Sequence, residues 1–132
     1  MDEQIEILTR DLRDNDDQVR LRALEGLGQI SDGSTIAPLS QALKDNSDQV
    51  RMKALELLGE INNSSVVEPI SEALSDNSDK IRLRAVELLG AIGDPSVVKP
   101  LNRALSDNSE QVRLKATEKL SKLKSRPKVT AH

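Results

Sequence analysis

Apolar residues recur along this chain in two alternating helical patterns. In residues 45–75 the first comprises Val50, Ala54, Leu57, Leu58 and Ile61, the spacing of one face of an α-helix. Ser47 precedes it as an N-cap, and Asp48 sits where the positive end of the helix dipole favours an acid. The helix is expected to stop near Ile61. Asn62, which is Gly93 in the next copy, is suited to a left-handed conformation beyond that end. A second series, Val67, Ile70 and Leu74, predicts another helix with Pro69 in its first turn, where a missing N–H costs little. Asp76 and Asn77 then turn the chain. The two helices are called A and B below.

The pair is one unit of a 31-residue repeat that begins at Asp14, Asp45, Asp76 and Asp107. The copies from Asp45 and Asp76 agree at 18 of 31 positions, too many for coincidence of composition. Ile5, Leu8 and Leu12 stand one period before Ile36, Leu39 and Leu43, so residues 1–13 read as a lone B helix. Full repeats follow at 14–44, 45–75 and 76–106, then a final A helix at 107–124, giving eight helices in all. The expectation is one all-α solenoid over 1–124, each unit burying its apolar face on its neighbours, followed by a basic tail at 125–132. The final A helix carries Thr117, Lys119 and Ser121 where the second full copy has Leu55, Leu57 and Gly59. A terminal unit with one side in water needs such polarity.

The repeated strings are [VI]-R-x-x-A, then L-G-x-I, then [IV]-x-P-[LI]-x-x-A-L, each copy opening on aspartate. This pattern resembles the HEAT-like repeats of the phycobilin-lyase type, over 14–106 in full and over both flanking half units. The resemblance implies a right-handed α-α superhelix with the B helices on its concave side. It also implies a role in binding proteins or, in some members, in handling a linear tetrapyrrole.

Composition narrows the chemistry. The 132 residues contain no cysteine and no Phe, Trp or Tyr, and the one histidine is His132. Disulfides, thiol nucleophiles, cysteine metal sites and base-stacking platforms are thereby excluded. No internal histidine is available to activate a serine or threonine, so no catalytic residue and no enzyme activity is expected. Asp14, Asp16 and Glu25 mimic part of a calcium loop, but Val19 occupies the position that must be glycine, so no metal site is expected. No cofactor is expected either. Net charge is −3, with residues 1–118 at −8 and residues 119–132 at +5. The basic tail is read as a solvated terminus. No apolar run approaches membrane-spanning length, and the N-terminal stretch is not signal-like. A cytoplasmic monomer with a protein partner, and with neither nucleic acid nor membrane, is the expectation.

Two sets of residues remain as candidates. Arg20, Arg51, Arg82 and Arg113 recur without variation beside the apolar stripe of helix A. Charges next to a core are rarely left unpaired. Each is therefore expected to pair with a carboxylate, from either the column Asp14, Asp45, Asp76 and Asp107 or the column Asp17, Asp48, Asp79 and Glu110. That makes a structural ladder rather than an anion site. The second set is the outward face of the B helices: Glu6, Arg10 and Arg13; Ala37, Gln41 and Lys44; Glu68, Glu72 and Ser75; Lys99, Arg103 and Ser106. These columns vary between copies while the core columns do not, as expected where function chooses the residue. The charges sum to +1, +1, −2 and +2 by helix, so no single-sign groove is expected. The leading reading is a non-enzymatic protein-binding or scaffolding module using this face. The alternatives are a bilin-lyase-related subunit assisting cofactor attachment, and a duplicated or engineered array with no selected partner.

Overall fold

A computed structural model describes residues 2–125. Its helices are α1 (Glu3–Asp11), α2 (Asp17–Ile30), α3 (Ile36–Ala42), α4 (Asp48–Glu60), α5 (Val67–Glu72), α6 (Asp79–Ile92), α7 (Val98–Ala104) and α8 (Glu110–Ser125). The even-numbered helices are the A helices and the odd-numbered ones the B helices. No strand occurs among the described residues. The fold is the all-α repeat that the periodicity predicts, with the elements in the expected order. The expected basic tail at 125–132 lies outside the described residues, except that Ser125 closes α8.

The A helices begin as their sequences dictate. Asp16 accepts from the Gln18 N–H at 2.9 Å, Ser47 from Val50 and Ser78 from Ile81, both at 3.4 Å. Their ends differ between copies. Gly93 closes α6 with φ 71°, and Ser31 closes α2 with φ 48°, the left-handed region. Asn62 does not take that role. α4 ends one residue earlier, because Ile61 turns extended (φ −83°, ψ 124°) and places its side chain in the core, 5% exposed. With the helix already stopped by a buried β-branched residue, no left-handed residue is required after it.

Each of α3, α5 and α7 is entered through one turn of 3₁₀ helix, at Gly33–Thr35, Ser64–Val66 and Pro95–Val97. Asp32, Asn63 and Asp94 cap these turns by accepting from the N–H of Ser34, Ser65 and Ser96 at 2.8, 2.8 and 2.9 Å. The Ser34 and Ser96 hydroxyls bond the same carboxylates. These bonds hold the Asp32 and Asp94 carboxyls below their ordinary pKa. Thr35, fully buried where the later copies have Val66 and Val97, satisfies its hydroxyl by donating to the Asp32 carbonyl at 2.9 Å.

The chain forms two compact units that divide between Ala73 and Leu74. In the first, α2 packs on α1 and on α4, and α4 packs on α3 and α5. Leu24, Leu27, Leu39, Leu55, Leu58 and Ile70 are fully buried. Gly28 makes the close α2–α4 approach possible: a methyl group there would lie 2.6 Å from Leu57 Cδ2. In the second unit, α8 packs on α6 and α7 around Leu89, Val97, Leu101, Val112 and Ala116. Gly90 plays the part of Gly28, but the residue seated over it is Lys119, whose Cγ would be 2.5 Å from an added methyl. The lysine stem fills the leucine position while its ammonium can reach water. Thr117 and Ser121, the other polar replacements in α8, are exposed.

Candidate binding surface and the arginine column

Every position singled out from the sequence for the B-helix face is solvent-exposed, but only Glu6, Arg10, Ala37, Gln41, Glu68, Glu72, Lys99 and Arg103 lie on the B helices. Arg13, Lys44, Ser75 and Ser106 fall in the turns just after them, because these helices end earlier than the spacing predicted. The register explains the exposure. Pro38, Leu39 and Ala42 turn inward on α3, leaving Ala37 and Gln41 outward, and the same spacing repeats on α5 and α7.

In the first unit this face is hollow. α1 and α3 flank an open groove of about 530 Å³. Ile5, Leu12, Pro38 and Ala42 supply its apolar floor; Glu6, Arg10, Arg13 and Gln41 stand on its walls. The volume is that of a typical ligand cleft. Sequence reasoning identified the wall residues but not the hollow between them. Residues 31 apart share a face in any repeat, and only packed coordinates show whether side chains fill the space between.

The arginines lie on a different surface, where loops join successive repeats. Arg20 Nη1 donates to the Asp14 carbonyl at 2.6 Å, and its Nη2 donates to Asp45 Oδ1 at 3.2 Å. Its Nε is 2.9 Å from Asp45 Oδ2, an ionic contact whose N–H is not aligned for a hydrogen bond. Arg82 is better placed. It donates to the Asp76 carbonyl at 2.8 Å, from Nε to Asp107 Oδ2 at 2.9 Å, and from Nη2 to Asp107 Oδ1 at 3.2 Å and Asn108 Oδ1 at 3.0 Å. Arg51 and Arg113 likewise donate to the Asp45 and Asp107 carbonyls, at 2.9 and 2.8 Å. In both described ion pairs the carboxylate belongs to the repeat that follows, and it comes from the Asp14, Asp45, Asp76, Asp107 column. Asp45 and Asp107 also accept from the Ser47 and Ser109 N–H groups, at 2.9 and 2.8 Å, and Asp14 and Asp76 from Asp16 and Ser78, both at 2.9 Å. Side chains of both pairs are close to nine-tenths buried, with exposures of 10–12%.

On the outer face of the A helices, Arg84 pairs with Glu87 at 3.1 Å and Lys115 with Glu118 at 3.2 Å. Lys115, together with Lys122, holds the Glu118 carboxyl below its ordinary range. Among the described residues, no group of three or more His, Cys, Asp or Glu could hold a metal ion. None of the described helices is long and apolar enough to cross a membrane.

A family model for HEAT repeats matches residues 5–80 and 67–132. Comparison with the curated proteins finds no match. Among solved structures, human deoxyhypusine hydroxylase in complex with glycerol is similar at 26% identity and a TM-score of 0.79, over 98% of this chain and 49% of that one. The chain therefore spans about half the length of the hydroxylase. The complex of CpcE and CpcF of phycocyanin lyase from Nostoc is similar at 18% identity and a TM-score of 0.70, covering 89% of this chain and 85% of that one. A designed armadillo repeat protein in complex with the peptide (KR)4 is similar at 22% identity and a TM-score of 0.61, covering 92% and 69%. The last two likenesses are of fold.

Proposed function

Since the chain belongs to the HEAT-repeat family, we propose that it is a non-enzymatic, cytoplasmic protein-binding module that works through the exposed face of its B helices. One observation carries this reading: the outward B-helix columns vary between copies and stand in solvent, and in the first unit they flank an open groove with an apolar floor. Residues selected for packing repeat from copy to copy. Residues that touch a partner follow the partner's shape instead, so their columns diverge. The designed armadillo protein that is similar in fold binds a peptide.

The arginine and aspartate columns belong to the scaffold in this reading. Arg20 and Arg82 tie the start of their repeat to Asp45 and Asp107 of the next, Arg51 and Arg113 hold the carbonyl that opens their own repeat, and none of the four takes part in the B-helix face. Catalysis has no residues assigned to it. The bilin-lyase alternative rests on likeness of fold alone, since the groove walls offer no aromatic, cysteine or histidine side chain to a tetrapyrrole.

The test is selection of a displayed random-peptide library on the folded chain. Selected peptides should lose binding when Gln41→Trp or Glu72→Lys alters the B-helix face of the first unit. They should be indifferent to Arg22→Glu or Glu56→Lys on the A helices. Selection of no peptide, or of peptides sensitive only to the A-helix changes, defeats the reading.

A further inference from the structure

We infer that the groove between α1 and α3 receives an extended acidic peptide segment with one apolar side chain, its carboxylates lying toward Arg10 and Arg13. This rests on the binding reading above and adds the chemistry of the occupant.

The charge around the groove is not balanced. Its ionisable lining groups are Glu6, Arg10, Arg13 and Asp45. The Asp45 carboxylate is already engaged by the Arg20 guanidinium at 2.9 Å and by the Ser47 N–H. Its charge is therefore largely offset. Arg10 and Arg13, both exposed, have no ion-pair partner among the described residues. Glu6 is one turn from Arg10 on the same helix, yet no ion pair joins them. Two unpaired guanidiniums thus stand on the groove, Arg10 in the last turn of α1 and Arg13 in the turn that follows it, over a floor made by Ile5, Leu12, Pro38 and Ala42. Guanidinium suits carboxylate because its donors form a fork that two oxygens can meet at once.

The dimensions favour a short extended chain. α1 has 9 residues, hence a length of about 14 Å. That matches about four residues of extended peptide at roughly 3.3 Å each. Alternate side chains of such a segment point the same way, so one can meet the apolar floor while its neighbours reach the walls. Glu6 stands toward the other end of α1 and would repel a carboxylate there, which gives the segment a direction: acidic toward Arg10 and Arg13, neutral or basic toward Glu6.

The probe is a fluorescein-labelled peptide with one leucine flanked by glutamates, titrated against the full chain by anisotropy. Counterparts carry lysine for glutamate, or serine for leucine. The acidic leucine peptide should bind tightest and weaken as salt rises. Arg10→Glu combined with Arg13→Glu should weaken it roughly tenfold or more, and Ala37→Trp should abolish it by filling the groove. Circular dichroism establishes that these surface variants remain folded, and Arg13→Ala alone provides a milder second reading. Acidic binding that ignores the charge reversal overturns the site. If the lysine peptide binds instead and Ala37→Trp abolishes that, the acidic occupant is wrong while the binding reading survives. Failure of every probe peptide also overturns the acidic occupant, and the library selection then decides the binding reading by itself.

Discussion

Two polar surfaces of this protein are built from similar side chains and behave in opposite ways. Where repeats join, Arg20 and Arg82 are nearly buried and each grips an aspartate of the next repeat together with a carbonyl of its own. On α1 and in the turn after it, Arg10 and Arg13 stand in solvent with no ion-pair partner among the described residues. The residue type is the same; the surroundings decide its role. A guanidinium beside the core has lost water and must recover its hydrogen bonds from the protein, so its partner recurs in every copy. A guanidinium in solvent has no such obligation, so the position can change from Arg13 to Lys44 to Ser75 to Ser106 without harm to the fold.

Perturbation should separate the two surfaces. The largest effect lies in the apolar core. Leu58 is fully buried, and Leu58→Ala should cost about 2–5 kcal/mol in urea unfolding through the cavity it leaves. Next comes the join between repeats. Arg82→Ala strands the Asp107 carboxylate and the Asp76 carbonyl and should cost about 1–3 kcal/mol. Arg20→Ala should cost less, because the Arg20 Nε–H is not aligned on its carboxylate whereas that of Arg82 is. Neither change should alter peptide binding. If Arg82→Ala unfolds like the wild type, the join is not structural and the comparison fails.

The B-helix variants should show the reverse. Arg10→Glu with Arg13→Glu should leave stability within about 0.5 kcal/mol while reducing binding, as the anisotropy titration measures. A large loss of stability would mean that these arginines belong to the scaffold.

The smallest effect concerns pH. Hydrogen bonds from Ser34 and Ser96 lower the folded-state pKa of Asp32 and Asp94. Their contribution is present above the unfolded-state pKa and is lost as pH falls through the carboxylate range to the lower folded values. Asn63 caps the equivalent turn in the second full copy without a charge. Asp32→Asn with Asp94→Asn should therefore keep the caps and flatten the fall in melting temperature on acidification. An unchanged acid profile would show that the charge at these caps contributes nothing.

The repeat, the helix order, the capping serines and the inward and outward faces were legible in the sequence, because each follows from a short spacing. Leu58 had to be buried once its neighbours at helical intervals were apolar. The arginine column could be read as paired, since a charge beside a core allows little else, but the sequence left two aspartate columns open. For Arg20 and Arg82 the loop geometry chose the first of them, in the following repeat. Local propensity misled at Asn62, where the burial of Ile61 had already ended the helix. The 3₁₀ turns capped by Asp32, Asn63 and Asp94 were missed, although the recurring serine two residues on was a usable signal.

What the sequence determined by itself is whatever one period of the chain specifies: which residues form helices, where those helices start, and which side faces the core. What only the tertiary structure decided are quantities that depend on two helices at once. The groove between α1 and α3 is one, and the seat of Lys119 on Gly90 is another. Spacing along a chain determines the direction of a side chain, but the empty volume between two helices depends on how closely their backbones approach. That distance is set by the bulk of the residues packed beneath them, which no single repeat contains.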